Sequence, residues 1–246
     1  MELPTYIALS RLSAQQREID VTATNLANTN TPGFKASRVL FTDWLSNQVG
    51  TDSPKGERTI AYTQDRATYR ELQSGAFQNT GNPLDLAISG DGYFTVSTPR
   101  GPRLTRAGRF SPLSDGTIGD MDGNKLLDAA GQPLRVSPDD TDLSITADGS
   151  VSSSSGSIGK IGVVMPTDPN RMTAEGARLM RADVPTRAVG AAKVVQGAVE
   201  DSNVQPIAET TRMMNLMRSF QFTSQFVQSE ADRLQSAIDK ITARKI

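Results

Sequence analysis

The chain has 246 residues, which is long enough to bury a sizeable hydrophobic core in one large domain or two smaller ones. Its 26 basic and 27 acidic residues nearly cancel, so the net charge predicts no broad electropositive surface for nucleic acid or anionic lipid. The lack of cysteine and histidine excludes disulfide bonds, thiol nucleophiles and the most common metal ligand, and with them most zinc and acyl-transfer chemistry.

Residues 1–30 are predicted to form an N-terminal helix. The stretch between Thr5 and Thr31 has neither glycine nor proline. Positions 9, 12, 16, 19, 23 and 26 read Leu, Leu, Gln, Ile, Ala and Leu, the spacing of one helix face, which only Gln16 interrupts. No basic region followed by about 7–15 apolar residues is present, so no cleaved secretory signal is expected. No run in the chain reaches the roughly 20 apolar residues that a membrane-spanning helix needs, so no membrane span is expected.

The helix is predicted to end in the sequence LANTNTPGFK, Leu26 to Lys35. Asparagine tolerates the left-handed conformation that often ends a helix, Pro32 cannot continue a helix, and Gly33 suits a turn. This local account requires no further role for the motif. Residues 31–80 are charged and poor in apolar side chains, which predicts an extended connector.

Residues 81–200 are predicted to form an antiparallel β domain. Fourteen of the 20 glycines lie between Gly75 and Gly162 and separate short alternating segments, as in LDLAISGDGYFTVSTP. Further strands are predicted over 158–165 and 179–184. Seven serines between Ser144 and Ser157 predict an exposed loop or hairpin tip.

Several aspartates of this centre could serve as paired catalytic carboxylates or as calcium ligands. Each lies beside or close to a glycine in turn register, where aspartate is favoured because its carboxylate accepts local backbone hydrogen bonds. The calcium-loop pattern fails, and no phosphate-binding glycine loop or nucleophile elbow is present. We therefore predict no catalytic, cofactor-binding or metal-binding residue. The aspartates in question are Asp91, Asp115, Asp120, Asp122 and Asp128.

Residues 201–246 are predicted to form a C-terminal helix, with Ser202 or Asn203 as its N-cap and Pro206 in its first turn. Its methionines and phenylalanines occupy more than one face, so burying all of them requires more than one neighbour, and this indicates assembly. One face repeats at helical spacing and is interrupted only by Thr223. The residues predicted to pack on that face are Met213, Leu216, Phe220, Val227, Leu234, Ile238 and Ile241.

Together these elements predict an α+β fold that is mainly β in its centre. The long N- and C-terminal helices both join this centre, and so they are expected to run antiparallel and to pack as a coiled-coil pair flanking the antiparallel β domain.

The sequence resembles the bacterial flagellar rod and hook proteins. Their N-terminal signature maps onto Ala23, Asn25, Leu26, Ala27, Asn28, Asn30, Thr31, Gly33 and Phe34, with Thr24 in place of the usual first asparagine. The stretches LAISGDGYFTVSTPRGPRLTRAGRF (86–110) and EDSNVQPIAETTRMMNLMRSFQ (200–221) look like two further blocks of the family. The resemblance thus covers both ends and much of the centre.

The resemblance implies a non-enzymatic structural subunit of the axial rod of the flagellar basal body. The opening YIALSR and the Pro-Ile-Ala-Glu at 206–209 are more similar to proximal-rod members than to distal-rod members. Such a subunit polymerises through its terminal helices and helps to form the drive shaft that transmits torque. The implied assembly motif is Asn25, Leu26, Asn28, Asn30, Pro32, Gly33 and Phe34, and the amides of Asn25 and Asn28 are expected to bond to the backbone of a neighbouring subunit.

The same resemblance implies the partners and the location. Expected partners are copies of this chain, other rod proteins and the flagellar type III export apparatus, and no nucleic acid, cofactor or membrane span is expected. The subunit would leave the cytoplasm without a cleaved signal peptide and reside in the rod, in the periplasmic space. Two alternatives stay open: a distal rod or hook subunit, and a secreted carbohydrate-binding or hydrolytic β domain, which would need a pocket with convergent polar groups.

Overall fold

The computed structural model describes residues 3–48, 58–137, 140, 142–169, 171–190 and 192–243. Within them the chain divides into two compact units. The helical unit consists of Met1–Ala27, Ser37–Glu71 and Gln205–Ile246, and the β unit of Asn28–Ala36 and Leu72–Val204. A helix near each end and an antiparallel β centre confirm the predicted α+β class.

The helical unit contains helix α1 (Leu3–Ala27), strands β1 (Ser37–Gln48) and β2 (Arg58–Arg70), and helix α2 (Pro206–Ala243). Neither helix, over its described residues, is long and apolar enough to cross a membrane. The strands pair antiparallel from Ser37 opposite Arg70 to Gln48 opposite Arg58, with a bulge after Leu40. The segment predicted as an extended connector thus contains a two-stranded ribbon, which its charged sequence did not predict.

Hydrogen bonds link α1 to α2 at several points. The Gln15 amide donates to Ser219 Oγ at 2.7 Å, and the Arg212 guanidinium pairs with Glu18 at 3.0 Å. Because later residues of α1 meet earlier residues of α2, the two helices run antiparallel. Helix α2 begins at Pro206, and so the predicted N-cap at Ser202 or Asn203 is wrong, while proline does occupy the first helical position.

Of the six positions on the predicted face of α1, three are half-buried (Leu12, Ile19 and Leu26) and three are exposed. Ala8, Gln15 and Thr22 are buried, seven residues apart, whereas the predicted positions Leu9, Gln16 and Ala23 are exposed. Small side chains allow a close approach of the neighbouring helix. Thr22 Oγ1 donates to the Glu18 carbonyl at 2.8 Å and Gln15 Nε2 donates to Ser219, whereas Gln15 Oε1 is buried without a hydrogen-bond partner among the described residues. Hydropathy therefore identified half of the packed positions and missed the small and polar ones between them.

The β unit has its own apolar core. Phe94, Val96 and Leu126 are completely buried, and the rings of Phe94 and Phe110 meet edge to face at 5.5 Å. Its strands, in chain order, are β3 (Phe77–Asn79), β4 (Leu86–Ser89), β5 (Tyr93–Thr98), β6 (Gly101–Thr105), β7 (Ser111–Pro112), β8 (Ile118–Gly119), β9 (Lys125–Leu126), β10 (Ser144–Ile145), β11 (Ser150–Ser153), β12 (Gly156–Lys160), β13 (Val163–Pro166), β14 (Met172–Glu175), β15 (Leu179–Ala182), β16 (Thr186–Ala188), β17 (Lys193–Gln196) and β18 (Ala198–Glu200).

The largest sheet of the β unit runs in the order β14-β15-β6-β5-β9-β8-β7, with β13 pairing both β5 and β16. The serine-rich stretch forms the small meander β10-β11-β12, and exposed Ser154 and Ser155 form its hairpin tip. Two short pairs complete the unit, β17 with β4 and β18 with β3. The last pair places Glu200 opposite Phe77, and this register positions the cluster described next.

Candidate assembly site

The junction after α1 is fixed inside the β unit. Gly33 has a φ of +71°, its N–H donates to the Glu200 carbonyl at 2.7 Å, and a Cβ added at this position would lie 2.3 Å from the Arg106 carbonyl carbon. Only glycine fits such a conformation and such an approach. Gly33 forms the predicted turn. It also brings the segment after α1 against the backbone of Arg106 and of Glu200.

A buried charge cluster lies beside this junction. The Lys35 ammonium forms an ion pair with Glu200 Oε1 and donates to the Gln73 carbonyl at 2.8 Å. Arg106 Nη1 pairs with Glu200 Oε2 at 2.9 Å, and the Gly75 N–H donates to Oε1 at 3.1 Å. Lys35 and Glu200 are almost completely buried. Removing one partner of such a cluster leaves an uncompensated buried charge, so the three charged residues depend on one another.

Arg106 extends the cluster into the sheet. Its Nη1 also donates to the Ile88 carbonyl at 3.1 Å, and its Nη2 donates to the Gly90 carbonyl at 2.7 Å. Its guanidinium lies 5.5 Å from the centre of the Tyr93 ring, within cation–π distance. One side chain therefore links Glu200 to β4, to the turn that follows it and to β5.

Burial lowers the pKa of the Lys35 ammonium below its ordinary value, although its hydrogen bond and ion pair with Glu200 act in the opposite direction. The charged form therefore depends on the Glu200 carboxylate. This makes Glu200 the residue on which the cluster is built.

Asn203 joins the segments that enter and leave the β unit. Its Oδ1 accepts from the Ala36 N–H at 2.7 Å, its Nδ2 donates to the Gln73 carbonyl at 3.0 Å, and its own N–H donates to the Phe34 carbonyl at 3.3 Å. Phe34, Ala36 and Val204 form a small apolar cluster at the same place. Asn203 thus holds two chain segments together, which explains why it does not cap α2.

A second network lies in the helical unit, around Asn25. This side chain is completely buried, accepts from the Ser37 N–H at 2.9 Å and donates to the Ser37 carbonyl at 2.9 Å and to Glu209 Oε2 at 3.4 Å. Its amide pairs with β1 much as a neighbouring strand would. The expectation that the Asn25 amide bonds to a neighbouring subunit is therefore wrong, because the chain itself uses and buries it.

Glu209 extends this network on α2. It is buried in the first turn of the helix and pairs with Arg38 of β1, whose Nε also donates to Glu71 at 2.8 Å. Burial acts to lower the pKa of Arg38, but the hydrogen bonds to Glu71 and Glu209 outweigh this effect and raise it. The helical unit thus joins α1, β1 and α2 through polar contacts.

The remaining motif residues are less enclosed. Leu26, Asn28 and Pro32 are half-buried, and Asn30 is exposed. Asn28 Oδ1 accepts from Thr31 Oγ1 at 3.1 Å, and the Asn28 carbonyl accepts from the Thr31 N–H at 3.2 Å. These contacts fit the end of a helix.

The predicted packing face of α2 splits into two parts. Met213, Leu216, Phe220, Val227 and Leu234 are half-buried, whereas Ile238 is 54% exposed and Ile241 is 69% exposed. Other large apolar side chains of α2 are also exposed, among them Ile207, Met214, Met217, Phe222 and Phe226. The helix therefore presents apolar surface on more than one side.

Three of the central aspartates act in turns, as predicted. Asp115 accepts from the Thr117 N–H at 3.1 Å, Asp120 from the Asn124 N–H at 2.9 Å, and Asp128 from the Gln132 N–H at 2.7 Å. Asp122 instead pairs with Arg178 at 2.8 Å. A cavity of about 230 Å³ in the β unit is lined by Asp128, Asp148 and Lys160, among others, and these two carboxylates accept bonds from their own turns.

Sequence reasoning did not find Lys35, Arg106, Glu200 or Arg38 as site residues. A signal was available for two of them. Lys35 lies between Phe34 and Ala36, and Glu200 directly follows Ala198 and Val199, so each is a charge next to apolar residues. Such a charge is buried only when it is paired, but the sequence does not reveal the partner.

Three family models match the chain. "Flagella basal body rod protein" matches residues 6–35, "Flagellar hook protein FlgE/F/G D1 domain" matches 87–153, and "Flagellar basal body rod FlgEFG protein C-terminal" matches 195–240. These segments contain Lys35, Arg106 and Glu200 respectively, so each contributes one member of the buried charge cluster.

The chain also aligns over nearly its whole length with curated relatives. It is 34% identical to the flagellar basal-body rod protein FlgF of Mesorhizobium japonicum, covering 99% of this chain and 100% of that protein. It is 31% identical to FlgF of Caulobacter vibrioides, covering 98% of each chain, and 33% identical to the rod protein FlgG of Bacillus subtilis, covering 95% and 97%. With both chain ends, the centre and the buried cluster inside these matches, the chain belongs to the flagellar basal-body rod protein family, as a structural subunit of the rod.

Proposed function

We propose that this chain is a proximal-rod subunit that polymerises by packing its terminal helices against those of neighbouring subunits. The observation that carries the proposal is the exposed apolar surface of α2, where Phe222 is 72% exposed and Ile207 is 85% exposed. A patch of this kind is costly in water and marks a contact surface. The antiparallel contact of α1 with α2 supports their pairing as a coiled coil, in which the residues from Met213 to Leu234 form the seam.

The assembly motif acts, in this proposal, by fixing the path of the chain. Asn25 ties the end of α1 to β1 within the helical unit. Gly33 and Phe34 are held within the β unit by Glu200 and Asn203. Leu26, Asn28, Asn30 and Pro32 form the short segment between them. Because both ends of the motif are held in place, α1 stays paired with α2 and the two helices can contact a neighbouring subunit together.

The terminal helices become fully ordered when they pack on their neighbours, so the entropic cost of ordering is offset only at the growing end of the rod. Polymerisation is thereby restrained before export. The subunit leaves the cytoplasm through the flagellar type III apparatus without a cleaved signal peptide and assembles in the periplasmic space with other rod proteins and with copies of itself.

Complementation of a strain that lacks its own copy of the gene tests this function. The wild-type chain is expected to restore swimming and to be present in purified basal bodies. Phe220→Asp combined with Leu234→Asp places two carboxylates on the half-buried seam and is expected to abolish rod formation, because each charge must be desolvated in the packed helices.

The matched control is Gln225→Asp with Ser236→Asp, which adds the same charges to the same helix at exposed positions. It is expected to retain swimming. Normal swimming by the Phe220 and Leu234 variant would remove the seam from the mechanism, and absence of the wild-type chain from basal bodies would overturn the proposed function itself.

A further inference from the structure

The last two strands of the β unit pair with its first two. Strand β18 lies antiparallel to β3, with Ala198 opposite Asn79, and β17 lies antiparallel to β4, with Gln196 opposite Leu86. Among the described strands, β3 pairs with β18 alone and β4 with β17 alone. The first strands of the unit therefore cannot complete their sheets until residues 193–200 are present.

Residues 193–204, which we call the closing segment, also bond to the chain between the first strands. The Gly197 N–H donates to the Asp85 carbonyl at 2.8 Å, and the Asp201 N–H donates to the Ala76 carbonyl at 2.8 Å. Docking of the closing segment therefore removes apolar surface from water and satisfies backbone groups at the start of the unit. Its buried apolar side chains are Val194, Ala198, Val199 and Val204.

The closing segment also supplies the counter-charge of the buried cluster. Lys35 and Arg106, both buried, form ion pairs with Glu200. Arginine stays protonated in proteins, so until Glu200 docks Arg106 lacks the carboxylate with which it pairs. The Gly33 N–H lacks its acceptor, the Glu200 carbonyl, for the same period. Because burial of an unpaired charge is strongly unfavourable, we expect residues 33–36 and Arg106 to stay in contact with water until then.

Sequence separation delays this docking further. The contact of Thr80 with Gly197 joins residues that are 117 positions apart, whereas the hairpin of β5 and β6 closes over a short turn, with Thr98 opposite Gly101. Closing a long loop costs more conformational entropy than closing a short one. The hairpin can therefore form early, and the closing segment is expected to dock last.

We propose that the β unit completes its fold only when the closing segment docks, so that the unit stays open during synthesis until the ribosome has made the start of α2. Chains are made from the N-terminus, and a domain whose early strands pair with each other can fold while it is being made. Here the early strands must wait for residues that directly precede Pro206, the first residue of α2. The delay is a property of one chain and needs no neighbouring subunit, so it can fail while the proposed function stands.

Pulsed hydrogen exchange during refolding tests the order of events. The full-length chain is diluted out of urea, labelled at times from milliseconds to minutes, and read by mass spectrometry with fragmentation that resolves single amides. The Leu86 N–H is the informative one, because it donates to the Gly108 carbonyl and not to the closing segment. We expect Leu86 and β18 to gain protection at rates within about 2-fold of each other, as in one cooperative step. Protection of Leu86 before β18 would overturn the proposal.

A second measurement follows the chain while it is being made. The full-length message is translated in a cell-free system, and ribosome-bound chains are treated briefly with protease at successive times. A resistant fragment that contains β3 to β16 is expected only after residue 204 has left the ribosome. A fragment of this kind from shorter chains would show that the β unit folds without the closing segment and would overturn the proposal.

A pair of variants tests the part played by the counter-charge. In the released full-length chain, Glu200→Gln is expected to lower the yield of the resistant fragment at least about 10-fold, because two buried cations lose their carboxylate. The matched control is Lys125→Ala, which removes an exposed ion pair with Asp115 and is expected to leave the yield within about 2-fold. Equal yields from the two variants would overturn the dependence of docking on the charge of Glu200.

Discussion

The two units of the chain bury different kinds of side chain. The β unit buries leucine, isoleucine, valine and phenylalanine around Phe94, together with paired charges such as Arg106 and Glu200. Among the described side chains of the helical unit, those fully buried are small or polar: Ala8, Ala14, Gln15, Thr22, Asn25 and Glu209. Its large apolar side chains are half-buried or exposed. The β unit therefore has an apolar core of its own, whereas the helical unit leaves apolar surface for the neighbours that we propose.

This contrast relates stability to function in one molecule. A subunit that polymerises needs a part that stays folded and a part whose surface is completed by other subunits. The helical unit meets the second need because its internal contacts are hydrogen bonds and ion pairs, which contribute about 1 kcal/mol each when satisfied and leave the apolar surface available. Four predictions test the contrast, from the largest expected effect to the smallest.

Limited proteolysis of the purified full-length chain should show the largest difference. We expect residues 1 to about 30 and about 205 to 246 to be cleaved roughly 10,000-fold faster than the β unit, the ratio that a difference of about 5.6 kcal/mol in local opening free energy produces. Mass spectrometry of the products gives the cut sites. Equal protection of the ends and the centre would show that the helical unit is already stable in the monomer, and would remove the idea that it orders on assembly.

Removal of the Glu200 carboxylate should destabilise the β unit more than any exposed charge. Glu200→Ala leaves Lys35 and Arg106 buried without their counter-charge, which costs about 3–5 kcal/mol. Urea-dependent hydrogen exchange of the strand peptides measures this loss in the full-length chain. Lys160→Ala breaks an exposed pair with Asp148 and is expected to cost less than about 1 kcal/mol. A similar small loss for both variants would show that the cluster does not hold the junction.

The fold was more predictable from the sequence than the site. Two long segments without glycine or proline identified the terminal helices, and regularly spaced turn residues identified the β centre. The buried positions Gln15 and Thr22 of α1 were missed because they look exterior by hydropathy, and the sequence does not reveal their bonds to Ser219 and to the Glu18 carbonyl. The buried cluster was missed because its members are 165 positions apart, and pairing over such a distance leaves no local periodicity.

Asn25 offers a smaller test, within the helical unit. Asn25→Ala leaves the half-buried Ser37 N–H and carbonyl without this partner, which is expected to lower the free energy of unfolding by about 1–3 kcal/mol. Hydrogen exchange at Ser37 and along the end of α1 should report the loss. The matched control is Asn28→Ala, since Asn28 is half-buried and its side chain bonds to Thr31.

The Asn28 variant is expected to change the free energy of local opening, measured by hydrogen exchange, by less than about 1 kcal/mol, as for a residue that only caps a helix. If it also assembles normally in cells, Asn28 has no contact of its own with a neighbouring subunit. Equal effects of the two asparagine variants would contradict the distinction between a buried strand-like amide and a helix-terminating one.

The smallest effect concerns an ion pair at the edge of the main sheet. The Arg103 guanidinium donates to both carboxylate oxygens of Glu175 at 3.0 Å and holds the pKa of Glu175 below its ordinary value. A lowered carboxyl pKa contributes stability that is present above the unfolded-state pKa and is lost as the pH falls through the folded-state value. Protection of the β6, β14 and β15 peptides from exchange should therefore decrease as the pH falls below about 4.5, the ordinary value for glutamate. Glu175→Gln should be less protected at neutral pH and should show a shallower decrease. A wild-type slope retained in this variant would assign the acid sensitivity of the β unit to other carboxylates.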